Sequence, residues 1–123
     1  MAHVLIIDDE PTINMILQEV LKDEGHEVSS APNGKTGLEV MRKNMPDLVI
    51  CDLRMPDLSG RAVVETMRKE PVLKDIPVII TTGAVYDTDE FPPAELYQAT
   101  FSKPFDLIEI IDKVQELVEA RTR

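Results

Sequence analysis

The chain has 123 residues, 43% of them hydrophobic, and its 23 acidic against 13 basic side chains give a formal charge of −10. One domain with a real core is expected at this length, and disorder of the low-hydrophobicity kind is excluded. The acid excess excludes nucleic acid or an anionic membrane surface as the main partner, and the lone Cys51 excludes an internal disulfide framework or a Cys-x-x-Cys metal site.

In chain order, Val4-Leu5-Ile6-Ile7 is too short and too continuous for an amphipathic helix and reads as a strand covered on both faces. Ile13, Ile16, Leu17, Val20 and Leu21 then repeat at helical spacing, and Gly25 supplies a stop. His26–Ser30 is a weaker strand. Leu38, Met41 and Met45 form a shorter helical stripe closed by Pro46, with the methionines as core filler. Leu48-Val49-Ile50-Cys51 repeats the buried-strand pattern. Ser59-Gly60 leads into a helix carrying Ala62, Val63 and Met67, and Val78-Ile79-Ile80 is the next strand. Pro92 and Pro93 break the following stretch, so only a short helix from Pro93 to Gln98 is expected there. Ala99–Ser102 is a fifth strand, and Leu107, Ile110, Ile111, Val114, Leu117 and Val118 mark a last helix with Asp106 as its N-cap. His3 and His26 are expected at the surface.

This alternation predicts an α/β, doubly wound, five-stranded parallel sheet of order 2-1-3-4-5, flavodoxin-like, with helices on both faces and a short or irregular fourth helix. A single domain over 1–123 is expected, with its core at about 3–120. No run reaches 18 apolar residues and no signal peptide is visible, so a cytoplasmic protein is expected.

In such a sheet, function lies at the carboxyl ends of the strands. Asp8-Asp9-Glu10 follows the first strand, Asp52 the third, Thr81-Thr82-Gly83 the fourth and Lys103-Pro104 the fifth. Two carboxylates about 4 Å apart repel by about 4 kcal/mol at an effective dielectric of about 20. One lysine cannot neutralise three acids, so a hard divalent cation is the natural remedy. Mg2+ takes oxygen ligands and keeps waters that a phosphoryl oxygen can replace. A carboxylate can itself accept a phosphoryl group, with Thr82 and Lys103 as donors to its oxygens. Cys51 reads as a small buried hydrophobe.

Asp8-Asp9, Asp52 with Met55-Pro56 and Gly60 behind it, Thr82-Gly83 and Lys103-Pro104-Phe105 together resemble the receiver domain of bacterial two-component response regulators, of the single-domain, chemotaxis-regulator-like kind. The likeness runs from about residue 3 to 120. It implies a phosphorylation-controlled switch of a phosphorelay, and not an enzyme beyond self-phosphorylation and self-dephosphorylation. Asp52 would be the phosphoacceptor. Asp9 would hold Mg2+ directly, Asp8 chiefly through water, and the backbone carbonyl of Arg54 would be a further ligand. Thr82 would be the switch hydroxyl, with Gly83 beside it, and Lys103 would pair with a phosphoryl oxygen. Pro104 matches a proline that often follows a cis bond. The implied partners are a sensor histidine kinase or histidine phosphotransfer protein and a downstream protein effector, met through the face around the fourth helix, fifth strand and fifth helix.

The chain departs from that pattern in three places. The usual aromatic switch position is Thr100, and Phe101, one residue later, points to the opposite face of a strand, which weakens the switch. Asp87, Asp89, Glu90 and Glu95 give the expected output region an acidic character of its own. Ala84 offers no group to orient an attacking water, so a moderately long-lived phosphoryl state is expected. A haloacid-dehalogenase-like phosphatase would need a second aspartate where Arg54 stands, and a flavin-binding protein would not place Asp8-Asp9-Glu10 against a phosphate. A degenerate receiver serving as a constitutive interaction module stays open as the alternative. No linker or DNA-binding motif follows the last helix, so output is expected through protein contact.

Overall fold

The computed structural model describes residues 2–83 and 91–122. Five strands, β1 (His3–Ile7), β2 (Glu27–Ala31), β3 (Leu48–Asp52), β4 (Val78–Thr82) and β5 (Ala99–Ser102), form one parallel sheet of order β2-β1-β3-β4-β5. This is the doubly wound, flavodoxin-like arrangement that the alternation predicts. Helices α1 (Pro11–Asp23), α2 (Gly34–Lys43), α3 (Gly60–Lys69) and α4 (Leu107–Thr122) cover it.

Why the central strands are apolar without interruption is visible in the packing. Leu5, Ile7, Val49, Cys51, Val78 and Ile80 face Leu38 and Met41 of α2 and Val63, Val64 and Met67 of α3. The alternate residues Val4, Ile6, Leu48, Ile50 and Ile79 face Leu17 and Leu21 of α1 and Ile110, Val114 and Val118 of α4. Each strand residue therefore meets a helix whichever way it points.

Helix ends follow local chemistry. Asn33 and Ser59 accept bonds from the backbone N–H of Thr36 and Ala62 at 2.8 and 3.1 Å, and Asp106 accepts one from Ile108 at 2.8 Å. Gly25, at φ 90°, turns the chain out of α1. Between β4 and β5, Pro93 is followed by a single 3-10 turn, Ala94–Leu96, shorter still than the helix expected there. Arg68 anchors this region: its guanidinium donates to the carbonyls of Leu96, Lys74 and Ile76 at 2.8 to 3.0 Å.

Three expectations fail. His3 and His26 are buried, not at the surface, because β1 is central in the sheet and His26 folds back under the end of α1, its N–H bonded to the Leu21 carbonyl. His3 Nε2 shares a 2.7 Å hydrogen bond with Ser29 Oγ. Met45 lies beyond the end of α2 and is 50% exposed, so it fills no core. On α1, Asn14 is buried while Ile16 faces outward, because Asn14, and not Ile16, shares the inward line of Leu17 and Leu21. Among the described residues no helix is long and apolar enough to cross a membrane.

Candidate functional site

The register of the sheet builds the site. Ile7 of β1 pairs with Cys51 of β3, so Asp8 and Asp52, each one residue further along, stand side by side at the carboxyl edge of the sheet. Lys103 follows β5 and its N–H donates to the Thr82 carbonyl at 2.7 Å, extending the pairing by one residue. The peptide between Lys103 and Pro104 is cis. By alternation Asp8, Asp52 and Lys103 all fall on the face covered by α1 and α4. Behind Asp52 the chain returns so closely that a Cβ on Gly60 would collide with the Asp52 carbonyl oxygen, and Gly60 N–H donates to the Leu53 carbonyl at 2.8 Å.

The ammonium of Lys103 faces three carboxylates, at 2.7 Å from Glu10, 3.2 Å from Asp8 and 3.4 Å from Asp52. Burial alone would lower its pKa, but the bond to Glu10 and the charges of Asp52 and Asp8 outweigh that and raise it. Asp52 is only 4% exposed. Its desolvation, reinforced by the charge of Asp8, pushes its pKa up to about 6 against the pull of Lys103. Asp8, 2% exposed, is also raised by burial, with the Glu10 N–H on its Oδ1 at 2.9 Å and Lys103 working in the other direction. Cys51 is fully buried beside them, and desolvation raises its thiol far above any reactive range, consistent with the small hydrophobe expected from the sequence.

These residues suit a hard cation. Asp8, Glu10 and Asp52 can each present an oxygen within 4.8 Å of the others. Asp8 Oδ2 is buried, and among the described residues it has Lys103 at 3.2 Å as an ion-pair partner but no donor in good hydrogen-bonding geometry. A buried carboxylate oxygen near two other carboxylates, with one lysine shared among all three, is a group that a divalent ion would satisfy.

Asp9, Glu10, Asp52, Arg54, Gly83 and Lys103 line one open hollow of about 360 Å3, with Asp8 beneath it. Asp9 is exposed and stands outside the close trio, but it lines the same hollow as Asp52, and its charge adds to the upward push on the Asp52 pKa. Glu10 stands at the N-cap position of α1, but its side chain caps no backbone N–H there and accepts from Lys103 instead. Thr82 is buried at the end of β4 and borders a neighbouring hollow of about 430 Å3, together with Thr100, Ser102, Phe91 and Tyr97. Phe101 points the other way, against the cluster under α1 and α4. Ala84, Asp87, Asp89 and Glu90 lie outside the described residues.

The sequence reading missed Asn14. Its carboxamide donates to the carbonyls of Asp8 and Ala31 at 3.1 and 3.3 Å and accepts from Gln18 at 2.8 Å. The signal was present: positions 14, 17 and 21 share one helix face, so a polar residue at the first of them is buried and must find partners.

Comparison with known proteins agrees with this geometry. A family model described as the response regulator receiver domain matches residues 4–115. Protein PilH of Pseudomonas aeruginosa is 39% identical over 90 residues, which covers 73% of this chain and 74% of that protein. Sporulation initiation phosphotransferase F of Bacillus subtilis is 35% identical over 121 residues, covering 97% and 95% respectively. A crystal structure of a response regulator receiver domain protein from Clostridium thermocellum superposes with a TM-score of 0.88 at 29% identity, covering 99% of this chain and 98% of that one.

Proposed function

The chain belongs to the response regulator receiver domain family, whose members are signalling switches rather than enzymes, and on that premise we propose that Asp52 is the phosphoacceptor of a two-component relay. The observation that carries this is the placement of Asp52: buried at the end of a central strand, beside Asp8 and 3.4 Å from the one ammonium of the pocket. With a pKa of about 6, Asp52 is about nine-tenths ionised at pH 7 and can act as a nucleophile. A carboxylate oxygen of Asp52 forms the new P–O bond while the P–N bond to a donor phosphohistidine breaks, and the electron pair returns to the donor's imidazole ring.

Mg2+ bound here would neutralise the charge that builds on the phosphoryl oxygens. Asp8 and Asp52 would hold it, with Glu10 in reach of the same point, Asp9 from the rim of the hollow and the Arg54 carbonyl as a further oxygen. Lys103 exchanges a carboxylate for a phosphoryl oxygen as partner. Thr82 and Gly83, at the end of β4, respond to the new group: Gly83 lines the pocket, and Thr82 beside it lines the hollow shared with Thr100, Phe91 and Tyr97.

The donor is a cytoplasmic sensor histidine kinase or histidine phosphotransfer protein. Its approach is favoured by apolar surface next to the pocket, where Ile13, Ile16, Pro104, Phe105 and Leu107 line a hollow of about 180 Å3 and Met15 and Ile108 are exposed. The receiver of the signal is a protein effector that reads the face around the Ala94–Leu96 turn, β5 and α4. Threonine in place of an aromatic ring at position 100 favours a second reading, a constitutive interaction module that takes no phosphate.

Incubation with Mg2+ and acetyl phosphate, followed by intact mass measurement, separates the two. One added phosphoryl group on the native chain and none on Asp52→Asn is expected. No addition, or equal addition to both, overturns the phosphoacceptor assignment.

A further inference from the structure

Asp8 is the most buried acid of the pocket, and its backbone is held on both sides. Its N–H donates to the carbonyl of Ala31 at the end of β2, at 3.2 Å. Its own carbonyl accepts from Asn14 Nδ2 at 3.1 Å, and the same nitrogen donates at 3.3 Å to Ala31. An amide nitrogen carries two hydrogens, so both are committed, one to the end of each strand. The remaining atom, Asn14 Oδ1, accepts from Gln18 Nε2 at 2.8 Å, one helical turn along. The two carbonyls decide which end of the carboxamide faces the strands, because an oxygen turned inward would meet two carbonyl oxygens, and the Gln18 bond holds the outward oxygen in place.

We propose that Asn14 is a positioning residue of the pocket: its carboxamide clamps the Asp8 peptide to the end of β2 and so aims the Asp8 carboxylate at the cation site, with Gln18 steadying the clamp through its outward oxygen. The clamp rests on the metal-assisted phosphoacceptor reading and adds a residue that touches neither metal nor phosphate. Asn14 is 7% exposed on a helix face otherwise given to Leu17 and Leu21. An apolar residue there would pack as well but leave two carbonyls without that donor. Side chains that orient metal ligands indirectly typically change affinity about 10- to 100-fold when removed.

The test uses the full chain with Asn14→Leu, read in two ways. In metal-free protein the amides of Asp8 and Glu10 are expected to exchange at least about ten-fold faster, while β3 amides change only as global stability does. Calorimetric titration with Mg2+ alone, on folded protein, is expected to show a dissociation constant raised about ten-fold or more. Unchanged exchange at both amides, or an unchanged Mg2+ constant, reduces Asn14 to a packing residue and overturns the proposal. If Asn14→Leu does not fold, Gln18→Met carries the test. It removes the donor that steadies Asn14 Oδ1 at a half-buried site and should weaken Mg2+ binding about 2- to 5-fold; equal affinity overturns the clamp. A native chain that binds no Mg2+ overturns the reading of the whole pocket, whereas native and variant chains that bind Mg2+ equally overturn only the role of Asn14.

Discussion

Replacing Asp52 by asparagine should make the metal-free protein more stable, although it removes one partner of Lys103. An aspartate with a folded-state pKa of about 6, against 3.8 for the free side chain, binds protons more tightly folded than unfolded. Stability contributed by that group is therefore full at low pH and is lost as pH rises from about 4 to 6. The gap amounts to about 3 kcal/mol, at 1.36 kcal/mol per pH unit. Asparagine has the same shape and no charge to desolvate, so it escapes this cost. Lys103 keeps Glu10 at 2.7 Å and Asp8 at 3.2 Å, so its ammonium is not stranded. Urea unfolding in EDTA at pH 7.5 should show Asp52→Asn more stable by about 3 kcal/mol, which corresponds to about 10 °C in Tm for a domain of this size. At pH 4 the gain should shrink below about 1 kcal/mol, because the native aspartate is then protonated. Saturating Mg2+ should narrow the difference at pH 7.5, since the native pocket binds the ion more tightly. A destabilised variant at pH 7.5, or a gain of equal size at both pH values, refutes the reasoning. Asp9→Ala should give a smaller gain than Asp52→Asn, since Asp9 is exposed and water already screens its charge.

Two further outcomes test the frame around the pocket. Arg68→Ala removes the donors for the Leu96, Lys74 and Ile76 carbonyls and should cost about 2–4 kcal/mol in urea unfolding. Arg68→Lys should recover less than half of that, because an ammonium lacks the planar fork that reaches all three. His26, whose pKa burial lowers below 6.5, favours the neutral ring; the unfolded chain binds the extra proton, so this contribution is present above pH 6.5 and lost as pH falls below it. Asp8, also raised by burial, works in the opposite direction, so the quantity to measure is the stability of the Asp52→Asn chain relative to the same chain with His26→Gln, which should fall from pH 7 to 5.

The sheet order and the acids at the strand ends were legible in the sequence because short continuous apolar runs, whose residues face helices on alternate sides, end abruptly in polar residues. Val4–Ile7, Leu48–Cys51 and Val78–Ile80 left no choice but strands covered on both sides. Where the backbone leaves the strand, that periodicity stops carrying information. Hence Glu10 joins Asp8 and Asp52 within reach of one point while Asp9 lines the same hollow: in the β1–α1 turn alternation no longer decides which carboxylates meet. Isolated polar residues misled in the same way. His3, His26 and Asn14 carry polar atoms that suggest a surface, and only the strand and helix neighbours around them determine that each is buried.

Pairing Ile7 with Cys51 also turns the sheet into a ruler. Neighbouring strands lie about 4.8 Å apart, close to the span between opposite oxygens around an ion that takes ligands at about 2.1 Å. The separation of Asp8 and Asp52 is therefore inherited from peptide hydrogen bonds rather than from any loop. Surface segments can diverge and change which proteins dock, while the gauge between the two acids stays set by the backbone itself.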